Sequence, residues 1–147
     1  QTFGQLYADK PMTRKQVEHA VSMQFPDVRL KTYLEIRPAD SMPIPYVIAY
    51  AALIRGLFYD EDNLQQLEVL FADVDADAFE RAKDALMEYG YNAHAYGAPV
   101  ADLCDRVIGL AENGLNPDDR ALLEPLSGLV AQRVTLADLA ERESKKA

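Results

Sequence analysis

Cysteine is nearly missing from this chain. Cys104 stands alone among 147 residues, which excludes an internal disulfide and leaves none of the paired spacings of a structural zinc site. A single thiol suits a reducing compartment, and we expect a cytoplasmic protein. Long apolar runs are missing too. The longest, near Val47 to Leu57, is interrupted by Arg55 and is too short to span a bilayer. No secretory signal pattern is visible, so we expect no membrane partner. Positive charge is scarce: 15 Lys and Arg against 24 Asp and Glu give a net charge of −9. A nucleic-acid partner would call for a basic face, and none is evident. There is no internal repeat and no low-complexity segment. What remains is an ordinary globular balance, 49% hydrophobic and 27% charged, long enough for one domain with a core.

The most informative stretch is Asp27 to Asp40, DVRLKTYLEIRPAD. Val28, Leu30, Thr32, Leu34 and Ile36 alternate with Arg29, Lys31, Tyr33, Glu35 and Arg37. A period of two held for ten residues predicts one long β-strand over 27–37 with a buried apolar face. Pro38 ends it, having no N–H to donate. The other face carries Arg29, Lys31, Tyr33, Glu35 and Arg37 in a row. Neighbours two apart on a strand lie roughly 6.5–7 Å apart, within reach of one anion or metal–phosphate ligand. Two readings of that face stand. It is the solvated side of a sheet, with Glu35 in surface ion pairs, or it is a ligand-binding face.

The rest reads as helix. Thr13 caps a helix through about Met23, with Val17, Ala20 and Val21 as its apolar stripe. Pro43 and Pro45 suit the start of another. There Tyr46, Val47, Ile48, Tyr50, Leu53, Ile54, Leu57 and Phe58 leave almost no polar face, as in a central buried helix. Asn63 begins a helix with Leu64, Leu67, Leu70 and Phe71. Asp77 with Glu80 reads as the capping box of the next, with stripe Phe79, Ala82, Leu86 and Tyr89 and a stop at Gly90. Residues 91–99, YNAHAYGAP, form the longest loop. Val100, Leu103, Cys104, Val107, Leu110 and Ala111 make a helical stripe ending at Gly114. Asn116-Pro117 starts another helix, which Pro125 should break or kink. Thr135 with Asp138 starts the last, and 141–147 should fray. The count is one long strand and five to seven helices, the first near Thr13 to Met23 and the rest in a helical region from 43 to 147. The strand must find its pairing partner in a short neighbouring extended segment, in another copy of the chain, or in a part upstream; strand exchange or a dimer is the expectation.

Other candidate groups carry less. His19 lies on an amphipathic helix and reads as a solvated histidine. His94 sits in the 91–99 loop between Tyr91 and Tyr96, but no partner residue argues for chemistry there. Cys104 lies on an apolar stripe and reads as packing. Arg55 reads either as a snorkelling surface residue or as an inward anion contact. Asp73, Asp75 and Asp77 lack the glycine and terminal glutamate of a Ca²⁺-binding loop, and capping explains them better.

The run FPDVRLKTYLEIRPADSMPIPYVIAYAALIRGLFYD resembles the C-terminal half of the glutamate–cysteine ligases, in their plant-like and related bacterial branch. The matching positions are Phe25, Pro26, Val28, Arg29, Leu30, Lys31, Tyr33, Leu34, Glu35, Arg37, Ala39 and Asp40, then Gly56, Leu57, Tyr59 and Asp60. Residues 38–43 depart from the pattern, since plant members carry a glycine-rich turn there. The resemblance implies that the chain, which opens at Gln1, is a single C-terminal piece of a longer ligase, inactive alone. The parent fold would be a glutamine-synthetase-like α+β fold with an antiparallel sheet, of which this is a mostly α portion with one long strand and a short second one. It implies a reaction that joins L-glutamate to L-cysteine with ATP, through γ-glutamyl phosphate. It also implies roles: Glu35 as a Mg²⁺ ligand, Arg37 as the catalytic phosphate-contacting arginine, Arg29 and Lys31 as electrostatic support for ATP, and Tyr33 as a packing or hydrogen-bonding group in the same cleft. The competing expectation is a non-enzymatic helical module that associates through its strand.

Overall fold

A computed structural model describes residues 2–23 and 26–145. Phe25 of the motif and the last two residues of the expected frayed end lie outside them. The chain divides into two compact units, Gln1–Ser41 and Met42–Ala147.

The first unit holds α1 (Phe3–Leu6), α2 (Arg14–Ser22), β1 (Val28–Leu30) and β2 (Leu34–Ile36). Thr13 caps α2 as expected: its hydroxyl accepts from the Gln16 N–H, and the Gln16 side chain accepts from the Thr13 N–H. No residue of α2 is buried. The single long strand is not found. The alternating run folds back on itself as an antiparallel hairpin, with Val28 opposite Ile36, Arg29 opposite Glu35 and Leu30 opposite Leu34. Lys31, Thr32 and Tyr33 make the turn, closed by the Lys31 N–H on the Tyr33 carbonyl at 2.8 Å. The partner that the strand required is its own second half. At the open end the Arg37 N–H donates to the Asp27 carbonyl at 2.8 Å.

The second unit is helical around α3 (Ile44–Phe58), followed by α4 (Glu61–Leu70), α5 (Ala76–Tyr89), α6 (Val100–Asn113), α7 (Pro117–Gln132) and α8 (Leu136–Ser144). Between α5 and α6 the expected loop holds a 3₁₀ turn and a second small hairpin, β3 (His94–Ala95) with β4 (Ala98–Pro99). Tyr96 and Gly97 link these strands, both at positive φ, as a two-residue turn matched to strand twist requires. The core packs α3 against α6 and α7 through Ala52, Leu57, Leu110, Ala111, Leu115 and Leu123. A smaller cluster, Ala82, Ala93, Ala95 and Val100, ties α5 and the small hairpin to the start of α6.

Helix α3 is not buried all round. Ala49, Ala52, Gly56 and Leu57 are covered, while Ile44, Val47, Ile48 and Phe58 are exposed. Its contact with α6 is backbone on backbone. A methyl on Gly56 would overlap the Ala111 carbonyl, and one on Gly114 would overlap the Gly56 carbonyl. Asn63 fastens this crossing. It is 2% exposed, and its Nδ2 donates to Gly56 O at 2.8 Å and Leu110 O at 2.7 Å. The cap of α4 is therefore Asp60, which accepts from the Asn63 N–H at 2.9 Å, and Asn63 turns inward. Likewise α5 is capped by Asp75, which accepts from the Ala78 N–H, rather than by Asp77. Helix α7 runs through Pro125 without ending. Leu123 before it and Leu126 and Leu129 after it all pack inward, and that burial holds both flanks where one backbone bond is missing.

Candidate functional site

The hairpin carries the candidate site. Arg29 and Glu35 are directly opposed across the two strands, a pairing in which side chains share one face. The Arg29 Nε and Nη2 both reach Glu35 Oε2 at 2.7 Å. Arg37, two residues along β2 from Glu35, places Nη1 at 3.6 Å from the same oxygen. Lys31 in the turn places Nζ at 3.5 Å from the other oxygen, Oε1, and lies 5.6 Å from the centre of the Tyr33 ring, within cation–π range. Of the five residues singled out in the sequence, Arg29, Lys31 and Arg37 thus gather around the carboxylate of Glu35, and Tyr33 joins through Lys31.

The burial of this hairpin is in part the reverse of the expected one, although Ile36 is half-buried and Lys31 and Tyr33 are exposed. Val28, Leu30 and Leu34, meant for a core, are 54%, 79% and 68% exposed. The side chains of Arg29, Glu35 and Arg37 are only 21%, 28% and 29% exposed. Charged groups that are more covered than their apolar neighbours do not read as a fully solvated face, since covering charge is costly unless it is paired. The Arg29 hydrogen bond, with the nearby charges of Arg29 and Lys31, holds the Glu35 carboxyl below its ordinary value against partial desolvation. Glu35 is therefore ionised at neutral pH. Three cations thus lie within 3.6 Å of one carboxylate, a grouping suited to a negatively charged ligand.

As a place for a metal ion the cluster offers one carboxylate. Arg29 occupies Oε2 twice, while Oε1 has only the long Lys31 contact. Magnesium usually takes one or two protein carboxylates and completes its shell with water and phosphate oxygens, so Glu35 fits as a single ligand to an ion that arrives with phosphate. Among the described residues no group of three or more His, Cys, Asp or Glu side chains forms an all-protein cage.

The remaining candidates fall outside this arrangement. Arg55 is a surface residue, 62% exposed, with Nη1 3.3 Å from Asp119 on α7. His19 and His94 are exposed. Cys104 is half-buried beside Leu103 against the second cluster, and burial pushes its thiol up, away from thiolate chemistry. Asp75 is used as a helix cap. Sequence reasoning missed Asn63 as an inward-facing clamp; its place three residues after Asp60 was the available signal. No helix of the described residues is long and apolar enough to cross a membrane.

Comparison with known proteins adds an independent finding. The family model described as Glutamate-cysteine ligase family 2 matches residues 5–115, covering the hairpin and the chain through α6. Glutamate–cysteine ligase A, chloroplastic, of Oryza sativa subsp. indica is 30% identical over 124 residues, which is 82% of this chain and 25% of the relative. The chloroplastic glutamate–cysteine ligase of Arabidopsis thaliana is 34% identical over 98 residues, 67% of this chain and 19% of the relative. The chain therefore spans a quarter or less of the length of these relatives.

Proposed function

Since the chain belongs to the glutamate–cysteine ligase family 2, we propose that it supplies one wall of the site of an ATP-dependent ligase that forms γ-glutamylcysteine, and that it is inactive alone. In that reaction a γ-carboxylate oxygen of glutamate attacks the γ-phosphorus of ATP and ADP leaves. The cysteine nitrogen then attacks the acyl carbon of γ-glutamyl phosphate and inorganic phosphate leaves. Each step moves negative charge among oxygens, so the protein contributes position and compensating charge.

The observation that supports this reading is the cluster of Arg29, Lys31 and Arg37 around Glu35, half-covered on one face of a hairpin. Arg37, two residues along β2 from Glu35 and near the same oxygen, is the guanidinium assigned to a phosphate oxygen. Lys31 adds an ammonium at the turn, and Tyr33 a ring beside it. Magnesium, when bound with ATP, supplies charge neutralisation at the phosphates, and Oε1 of Glu35 is the atom of this chain that would hold it. The hairpin would join a larger antiparallel sheet of a glutamine-synthetase-like fold. The setting would be cytoplasmic, with ATP, L-glutamate and L-cysteine as the partners of the complete enzyme.

The test is turnover by the complete ligase carrying Glu35→Gln or Arg37→Gln. Each is expected to lower kcat/KM by about 10²-fold or more with an unchanged circular-dichroism spectrum. Turnover within about threefold of wild type for both, a difference of only ~0.6 kcal/mol, would sink the reading. A second reading draws on the exposed Val28, Leu30 and Leu34: a non-enzymatic module that pairs with a second copy through the hairpin. It predicts a dimer in sedimentation that Leu30→Glu abolishes, and silence at Glu35.

A further inference from the structure

The arginines of the cluster are not equivalent. Arg29 sits directly across the hairpin from Glu35 and brings two nitrogens to a single carboxylate oxygen, both at 2.7 Å. Arg37 approaches that oxygen with one nitrogen at 3.6 Å, and Lys31 approaches the other oxygen at 3.5 Å. Arg29 is also the most covered of the three cations: its side chain is 21% exposed, against 29% for Arg37 and 41% for Lys31. A guanidinium whose Nε and one Nη both meet one oxygen has that edge committed, and the cover over its side chain restricts how far it can swing elsewhere. By contrast, the surface pair Arg14–Glu18 has side chains 93% and 61% exposed and is an ordinary solvated contact.

We propose that Arg29 is a positioning residue: it grips Oε2 of Glu35 across the hairpin and so presents Oε1, beside Lys31, to the ligand, without touching the ligand itself. The proposal rests on the reading of the hairpin as a ligase wall. It separates an arginine committed to the carboxylate by two short contacts from Lys31, whose approach to the other oxygen is long and more exposed. It also gives the hairpin a purpose that a single strand could not serve. Residues 29 and 35 would lie about 20 Å apart along one strand at the usual rise per residue, and only the fold-back brings them together.

Two measurements decide it. In the protein labelled with ¹⁵N-arginine, the Nε–H resonance of Arg29 is expected downfield and protected. Glu35→Gln should displace it, and titration with inorganic phosphate should leave it in place. A resonance that follows phosphate and ignores Glu35→Gln would make Arg29 an anion contact and overturn the proposal. In the complete ligase, Arg29→Lys keeps the charge and loses the fork. Loss of a partner that orients a ligating group typically costs about 10–100-fold, and that loss is expected in kcat, with KM for ATP within about twofold. The double variant with Glu35→Gln should be no slower than Glu35→Gln alone, because both changes remove one unit. A raised KM at unchanged kcat, or losses that multiply, would refute it. The two ideas fail separately. Glu35→Gln with wild-type turnover removes the ligase reading, while a slow Glu35→Gln beside a fully active Arg29→Lys removes only the positioning role.

Discussion

Replacing Asn63 by alanine is expected to weaken the helical unit more than any comparable polar substitution on its surface. Asn63 is 2% exposed, and its amide nitrogen makes two hydrogen bonds to carbonyls of different helices, Gly56 on α3 and Leu110 on α6. Leu110 O keeps a second donor, the Gly114 N–H at 3.1 Å. Gly56 O lies against α6, where a side chain beyond hydrogen would collide, so water has poor access to it. Two net hydrogen bonds at about 1 kcal/mol each, plus about 1 kcal/mol or more for a carbonyl left dry, give a loss of about 2–4 kcal/mol. With a urea slope of about 2 kcal/mol per molar, the midpoint should fall by about 1–2 M. Asn63→Asp has nearly the same shape but turns an oxygen toward both carbonyls, so at neutral pH it should cost more than alanine. Burial and the two carbonyls raise the pKa of the new carboxyl in the folded state above its unfolded value. The folded chain then binds more protons, and stability falls as pH rises through that window. The extra penalty should shrink in mild acid, where a carboxylic acid can donate to one carbonyl. The chain has no tryptophan, so far-UV circular dichroism at 222 nm is the suitable signal. A midpoint shift under about 0.3 M for alanine, which is only ~0.6 kcal/mol at that slope, or an aspartate variant no worse than alanine, would refute the clamp.

Two glycines should respond with opposite signs. Gly56→Ala drives a methyl into the Ala111 carbonyl; overpacking of about 3 kcal/mol or more outweighs the gain of about 1 kcal/mol in helix propensity, so thermal unfolding should occur earlier. Gly109→Ala, inside α6 with nothing within 4 Å of the new methyl, should instead stabilise by up to about 1 kcal/mol; equal shifts for the two would refute the close crossing. In acid the link between α6 and α7 should fail in a defined direction. The Arg133 hydrogen bond holds the Asp105 carboxyl below its usual 3.8, so the unfolded chain binds more protons between the two values. The pair's stabilisation is complete above about pH 4 and is lost as pH falls through the folded value. Asp105→Asn should therefore lose less of its remaining stability than wild type between pH 5 and 2.5 in a urea series, and parallel pH profiles would refute the pairing.

Which residues share a face was legible in the alternation of 28–37, and the number of strands was not. Cross-strand partners 29 and 35 are an even number of residues apart, so the same side chains line one face whether the run is straight or folded back on three residues. The turn Lys31-Thr32-Tyr33 contains no Gly, Asn or Pro to announce itself. Burial was misjudged for a related reason. Alternation says that two faces differ, and the usual inference that the apolar one is inside needs something to cover it; here the opposed charges of Arg29 and Glu35 are the covered pair. The all-apolar pattern of α3 has the same ambiguity, because it names no partner for each side, and only the side with Ala49, Ala52 and Gly56 is met by α6 and α7. Caps were legible to within one turn: Thr13, Asn116 and Thr135 act as expected, while Asp60 and Asn63 compete for one cap and spacing alone does not say which turns inward.

The two runs that carry the resemblance to the ligases separate once their contacts are known. In the second run Gly56 permits the close crossing, Leu57 is in the core and Asp60 caps α4. Those three residue types are accounted for by packing and by helix-end hydrogen bonds, with no chemistry required. The first run has no such account. A hairpin built for stability would bury Leu30 and Leu34 and leave Arg29 and Glu35 to water; this one leaves the leucines 79% and 68% exposed and draws three cations around one half-covered carboxylate. The Arg29–Glu35 pairing offsets the cost of covering that charge, while the exposed leucines cost free energy that this pairing does not return. The ligase wall proposed above therefore rests on the charged face of the hairpin alone, and the matched positions Gly56, Leu57 and Asp60 rest on the packing of their own unit.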